Sequence, residues 1–256
     1  MPNHVANRLT ISGPPQKLTE LVASVEGPDV DGNESFFSLH RIIPQPKVYL
    51  ETEDSSNTMV AVWLVDPDVA HEIDAGQKFR VLFNQGLPID YFEQARMLHH
   101  FKDAPADLDW VGLRAWVQEK HTALIKLGEA CVRAYTTHGC HTWYSWRNIF
   151  WGTKWDAYDV LREHICTKHT DYIQYDFNTA WNTPRTCIEL LIQRFPELTL
   201  KHSFFDEGHN FWGSRLYYGG DLEVERATLD EDRVELCIDL LGYDPNEGED
   251  TEKDEE

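Results

Sequence analysis

Hydrophobic and polar positions alternate first in NRLTISG, where Leu9 and Ile11 share one side, and residues 7–13 are predicted to form a short strand. The next segment changes period. Leu18, Leu21, Val22 and Val25 recur at helical spacing behind Pro14 and Pro15, and Gly27-Pro28 supplies a stop. SFFSLHRIIPQP, residues 35–46, is predicted as a second strand ended by its two prolines, which makes a β-α-β unit at the N-terminus. Between Val48 and Lys102 the pattern is weaker. MVAVWLV, residues 59–65, is the longest apolar run, so TMVAVWLVD suits a buried strand, and QARMLHHF would close a helix starting near Asp90. A stripe of Leu113, Trp116, Val117, Leu124, Leu127, Cys131 and Ala134 predicts one long helix from Trp110 to His138, stopped at Gly139.

The last third is the most regular. DYIQYDFNTAW, residues 171–181, alternates as a strand, and TPRTCIELLIQRFP follows as a short helix with Thr183 as its N-cap and Pro184 as its first residue. Its buried stripe is Ile188, Leu191, Ile192 and Phe195. LTLKHSFFDEG and FWGSRLYYGG read as a paired hairpin turning at Asp206 to Asn210, and RVELCIDLLG as one more short strand. Strands around a helix after a long helical stretch predict an α+β fold: a ferredoxin-like antiparallel sheet with helices packed on one face. A mostly helical insertion at about residues 75–140 interrupts it, so the domain spans 1–243 and an acidic tail occupies 244–256.

Composition changes this picture in two ways. No apolar run approaches a membrane span, no signal peptide is apparent, and five irregularly spaced cysteines argue against a disulfide framework, so a cytosolic protein is expected. The formal net charge is −21, and its distribution matters more than its size. Residues 1–74 carry 12 acids and 4 bases, residues 75–220 carry 16 of each, and residues 221–256 carry 16 acids and 3 bases. The final DPNEGEDTEKDEE is expected to stay disordered. No region offers the excess of Lys and Arg on which binding to a phosphate backbone draws.

Five blocks, MPNHVANRLTISG, RIIPQP, WGTKWDAYD, TAWNTP and EGHNFWG, occur in that order from residue 1 to about residue 213. In them the chain resembles the YubB-like family of phage- and plasmid-borne proteins, which carries a ferredoxin-like domain. The resemblance implies a fold and a mobile-element context, and no reaction or catalytic residue.

Candidate chemistry concentrates in HGCHTWYSWRNIFWGTKWDAYD, residues 138–159. His138, Cys140 and His141, with His164, Cys166 and His169, are ligand types that zinc accepts, but their spacing matches no finger, knuckle or deaminase pattern. Capping and solvated histidines are the simpler reading. Cys140 beside His141 is the local candidate for a thiolate nucleophile, while Cys131, Cys187 and Cys237 fall on apolar faces. Asp156 and Asp159 could pair as acid and base, although Asp156 is more simply a helix N-cap or a partner of Lys154. The tryptophans Trp143, Trp146, Trp151 and Trp155, joined by Trp181 and Trp212, are first of all an aromatic core. The alternative is a surface that stacks a base or grips a partner, with Arg147, Lys154, Arg185 and Arg215 available for an anionic ligand.

The expected function is that of an accessory protein which binds and inhibits a bacterial host protein, such as a defence nuclease or another nucleic-acid-binding factor. Acidic surfaces including Asp29, Asp31 and Glu34 would face a basic partner, and no cofactor, membrane or DNA-backbone contact is expected. The alternatives are a nucleotide or oligonucleotide binding module built on the Trp/Tyr/Arg-rich middle, and a metal-dependent enzyme.

Overall fold

The computed structural model describes residues 3–76, 103–105, 107–166 and 171–246. It divides into two compact units, Met1–Gln45 with Arg147–Glu256, and Pro46–Trp146. The helix expected to end at QARMLHHF lies outside the described residues, as do His169 and the acidic tail from residue 247 on.

The first unit is built on a six-stranded antiparallel sheet. Its strands are β1 (His4–Ser12), β4 (Tyr158–Cys166), β5 (Asp171–Ala180), β6 (Thr199–Asp206), β7 (Trp212–Tyr218) and β8 (Asp221–Ala227), in the spatial order β4-β5-β1-β6-β7-β8. The first four strands, with α1 (Pro15–Val25) after β1 and α8 (Arg185–Arg194) after β5, form the β-α-β-β-α-β ferredoxin-like core. The fold class is therefore α+β, as the alternation patterns indicate. Val5, Leu9 and Ile11 of β1 line one face with Ile173, Tyr175 and Phe177 of β5 and Leu200 and Phe204 of β6, all buried. That face is covered by Leu18, Leu21 and Val25 of α1 and by Cys187, Ile188, Leu191 and Ile192 of α8.

Several elements differ from the sequence expectations. SFFSLHRIIPQP is not a strand: β2 (Gly27–Pro28) and β3 (Glu34–Ser35) form a small hairpin, and α2 (Leu39–Ile42) follows. RVELCIDLLG is helical, within α9 (Asp230–Leu241), because Asp230, Glu231 and Asp232 fill its first turn and Gly242 ends it at φ 81°. This helix packs Leu236, Cys237, Leu240 and Leu241 against Phe205 and Trp212. Phe205 alternates with Phe204 along β6, so α9 lies on the face opposite α1 and α8, and helices are not confined to one side. The strand β8 is an addition to the sequence expectations: Leu222 and Val224 alternate with acids, but the strand is exposed almost throughout.

In the second unit TMVAVWLV is a helix, α3 (Thr58–Val65), followed by α4 (Pro67–Gly76). Residues Thr58 to Leu64 are all buried, so the run has no polar face, and no period separates strand from helix. The single helix expected over 110–138 is two, α5 (Trp110–Lys120) and α6 (Thr122–His138), with His121 leaving helical geometry at φ −135° and ψ 50°. The expected stop at Gly139 is present, at φ 75°. α7 (Trp143–Phe150) carries the chain across the division between units. No helix among the described residues is long and apolar enough to cross a membrane.

A histidine is sealed in the sheet. The Nε2 of His202 on β6 lies 3.0 Å from the Asn7 side-chain oxygen, its Nδ1 has no partner among the described residues, and the ring is fully buried. Burial, and then the nearby Arg215 guanidinium, hold its pKa well below 6.5. As pH falls below about 6.5 the unfolded chain takes up a proton that the folded one refuses. Stability present above that pH is then lost by about 1.4 kcal/mol per pH unit. Urea unfolding between pH 7.5 and 5.5 should show this slope, and His202→Gln, which still donates to Asn7, should flatten it. An unchanged slope in the variant would assign the acid sensitivity elsewhere.

Candidate functional site

The loop joining α1 to α2 is shaped by two carboxylates. Asp29 closes the β2–β3 turn by accepting hydrogen bonds from the backbone N–H of Asp31 and of Asn33, at 2.9 and 2.8 Å. Asp156, far away in sequence, holds the same loop from the other side. It is buried and accepts from the Leu39 N–H at 2.5 Å, the Ala157 N–H at 2.8 Å, the Ser38 hydroxyl at 2.9 Å, the Val30 N–H at 3.3 Å and the His40 N–H at 3.4 Å. Asp156 was expected to cap a helix following it or to pair with Lys154. It caps α2 instead, and the segment after it is strand β4. Burial pushes its carboxyl pKa up, against the pull of these hydrogen bonds.

A cleft of about 470 Å³ opens where this loop faces the start of β4. Glu26, Asp29, Glu34 and Phe36 form one wall, and Tyr158, Asp159 and Val160 the other. Phe36 is 50% exposed beside the fully buried Phe37. The Arg162 guanidinium sits 5.0 Å from the centre of the Phe36 ring and pairs with Glu26, which also accepts from the Tyr175 hydroxyl at 3.3 Å. Asp159 accepts from the Asn178 amide at 3.3 Å. Among the described residues, no Lys or Arg pairs with Asp29, Glu34 or Asp159. Tyr158 stands between His4 and Trp155, its hydroxyl 2.5 Å from the His4 Nδ1 and its ring edge-on to both. Burial, then Asp159 and Glu207, push its pKa up to about 12, so it is a neutral hydroxyl at neutral pH.

The cleft adjoins one end of the sheet, where β1, β4 and β7 begin and β5, β6 and β8 finish. Among the described residues the non-glycine positions at positive φ, namely Asp159 (53°), Trp181 (71°), His209 (55°) and Thr228 (54°), all lie at this end. Such strain persists only where the surroundings impose it, and it gathers at functional sites. Four of the five quoted sequence blocks also meet here, through His4, Tyr158, Trp181 and the Asp206–Asn210 turn.

Residues 150–252 match the family model described as a ferredoxin-like domain in Api92-like protein. The uncharacterized protein YubB of Escherichia coli (strain K12) is 30% identical over 86 residues, 33% of this chain and 57% of that protein. The match thus spans little more than half of that relative. The crystal structure of protein api92 from Yersinia pseudotuberculosis is similar with a TM-score of 0.42 at 12% identity, over 88% of this chain and 98% of that one. The family model covers less than half of the chain and supports a ferredoxin-like domain there, and these names state no activity.

The other sequence candidates are dispersed. Trp151 is fully buried and donates to the Ile43 carbonyl at 2.9 Å, while Arg147 lies over its ring and donates to Gln45 at 2.6 Å. Trp212 is stacked on Phe205 and donates to the Leu229 carbonyl. Arg215 is buried over Phe204, bonded to Glu225 and Thr183, and Arg185 pairs with Glu189 and Glu225. Trp146 belongs to the second unit and packs on Tyr49, and Trp143 is partly buried there. Lys154 lies over Trp155, and Trp181 is 48% exposed. Within the first unit, Trp151 packs beneath Arg147 and Trp212 on Phe205, so these two do not share a stacking surface. Asp31 lies on the turn beside the cleft and, unlike Asp29 and Glu34, does not line it.

Among the described residues no three His, Cys, Asp or Glu converge as they would on a metal ion. His138 is exposed at the end of α6, while His141 and Cys140 are buried, and His164 and Cys166 belong to β4. The Cys140 thiol pKa is raised by burial, as are those of Cys187 and Cys131, the last to about 12, so these sulfurs stay protonated at neutral pH. Sequence reasoning had not singled out Glu26, Phe36, Tyr158 or Arg162. The signal available was an acidic turn, DVDGNES, followed by an exposed aromatic.

Proposed function

We propose that this chain is a binding protein, not an enzyme, whose acidic cleft holds a basic segment of a partner protein. The observation that carries the reading is the group of Asp29, Glu34 and Asp159, which share the cleft with Phe36 and Tyr158 and pair with no basic side chain among the described residues. An acidic concavity concentrates field lines and speeds the approach of a basic partner. In the mobile-element context of the resembled family, that partner is a protein of the bacterial cytoplasm with a basic, nucleic-acid-binding surface. Covering that surface would inhibit it.

Binding of a fluorescein-labelled basic peptide, followed by anisotropy, tests the reading. Affinity should fall as salt rises, because exposed charges are screened within about 8 Å at physiological ionic strength. The double variant Glu34→Gln, Asp159→Asn should bind about tenfold more weakly at low salt, a loss of about 1.4 kcal/mol. Asparagine tolerates the positive φ at residue 159, so the fold is preserved. Equal affinity for the double variant and the parent would remove the cleft from the binding surface.

A further inference from the structure

We infer that the cleft recognises arginine, not positive charge in general, and this rests on the reading that it binds a basic segment at all. Three observations carry it. The first is a guanidinium held by two residues of the cleft wall: Arg162 lies 5.0 Å from the centre of the Phe36 ring while pairing with Glu26. The chain thus shows with its own side chain the arrangement that these groups accept, a flat cation over an aromatic ring with a carboxylate at its edge. Phe36 remains 50% exposed with Arg162 in place, so ring surface is left for a second cation.

The second observation is the spread of the acids. Asp29, Glu34 and Asp159 line one cleft, yet among the described residues no three acidic or ligating groups converge on a single point. An ammonium is a compact, strongly hydrated charge that gains most where acceptors converge. A guanidinium is planar, weakly hydrated and carries five N–H donors in a fork that can reach two separated acceptors at once. The third is that both walls carry a ring, Phe36 on one and Tyr158 on the other. Tyr158 is held in place by its contacts with His4 and Trp155, so the wall is preformed and little ordering is needed on binding. A partner arginine would lie against Phe36 and fork between Glu34 and Asp159.

The test uses the full chain, a labelled oligo-arginine peptide and the oligo-lysine peptide of the same length, at one salt concentration. The arginine peptide should bind at least tenfold more tightly. Phe36→Ala should bring the ratio of the two affinities close to one, mainly by weakening arginine binding. Phe36→Tyr, which keeps a ring, should retain the preference. Equal affinity of the parent for both peptides overturns the arginine assignment and leaves the acidic binding site standing. A preference that Phe36→Ala does not change overturns it as well. Binding of neither peptide overturns the proposed function itself. Phe36 is half exposed, so its replacement leaves the buried core intact, which unchanged urea unfolding would verify.

Discussion

Asp156→Ala should destabilise the Met1–Gln45 and Arg147–Glu256 unit by about 4 kcal/mol or more, the largest effect expected of any polar substitution in it. The reason is the number of donors left behind. The N–H groups of Leu39 and Ala157 and the Ser38 hydroxyl are buried with Asp156 as acceptor, and the Val30 and His40 N–H groups add weaker contacts. Each buried donor left unsatisfied costs about 1–3 kcal/mol, so three of them outweigh the relief of bringing one carboxyl back into water. Asp156→Asn separates charge from acceptor number. It keeps one carbonyl oxygen but turns an amide NH₂ toward the remaining donors, and should cost about half as much. Burial raises the Asp156 pKa in the fold, so the folded state takes up this proton more readily than the unfolded chain. Acidification through that range therefore does not weaken the protein through Asp156, opposite in sign to the loss predicted for His202. Urea unfolding of the full chain measures the first effect. A loss under about 1 kcal/mol would mean that the loop finds other acceptors. Because Asp156 also ties down Val30, next to Asp29 in the cleft wall, peptide binding should fall in the variant even where it remains folded.

Gly128→Ala should cost the Pro46–Trp146 unit about 3 kcal/mol, although alanine is the better helix former by about 1 kcal/mol. A Cβ at this point of α6 would overlap the Ala61 carbonyl on α3 and press on Val65. The obstacle is backbone, which cannot rotate aside as a flexible side chain would, so overpacking wins over propensity. The two helices would have to separate, exposing Val60, Val62 and Leu64, which are now fully buried. Near-ultraviolet circular dichroism with urea unfolding would report the loss. A variant as stable as the parent would show that α3 can slide without penalty.

The ferredoxin-like core was legible because its strands and helices each bury one side. Ile173, Tyr175 and Phe177 alternate in β5, and Leu18, Leu21 and Val25 recur every three or four residues in α1, so one face of each element announces itself. The errors fell where that one-sidedness fails. TMVAVWLV is buried all round, so helix and strand bury it equally well, and the close approach at Gly128 favours the helix. LHRI is too short to hold helical geometry alone, and it is held by Asp156, 117 residues from Leu39 in sequence. In RVELCIDLLG the apolar positions suit either period. What decides is the run of acids before it and the apolar surface of Phe205 and Trp212 waiting across the sheet.

Part of the candidate site was legible in the same limited way. Asp29 and Glu34 are an acidic turn in any fold, and their charge could be read directly. That they share a cleft with Asp159, and that Phe36 is left open beside Arg162, depends on β4 pairing with β5 and on α1 delivering Glu26 to the same edge. Of the tryptophans, the chain order shows only that they are close in sequence. Packing sends Trp151 and Trp212 to separate parts of the first unit and leaves Trp181 half exposed. Local pattern reports which face of an element seeks burial, because that preference belongs to the element itself. Which faces meet, and which polar groups are stranded together at their edges, is set by long-range pairing that no short stretch of chain contains.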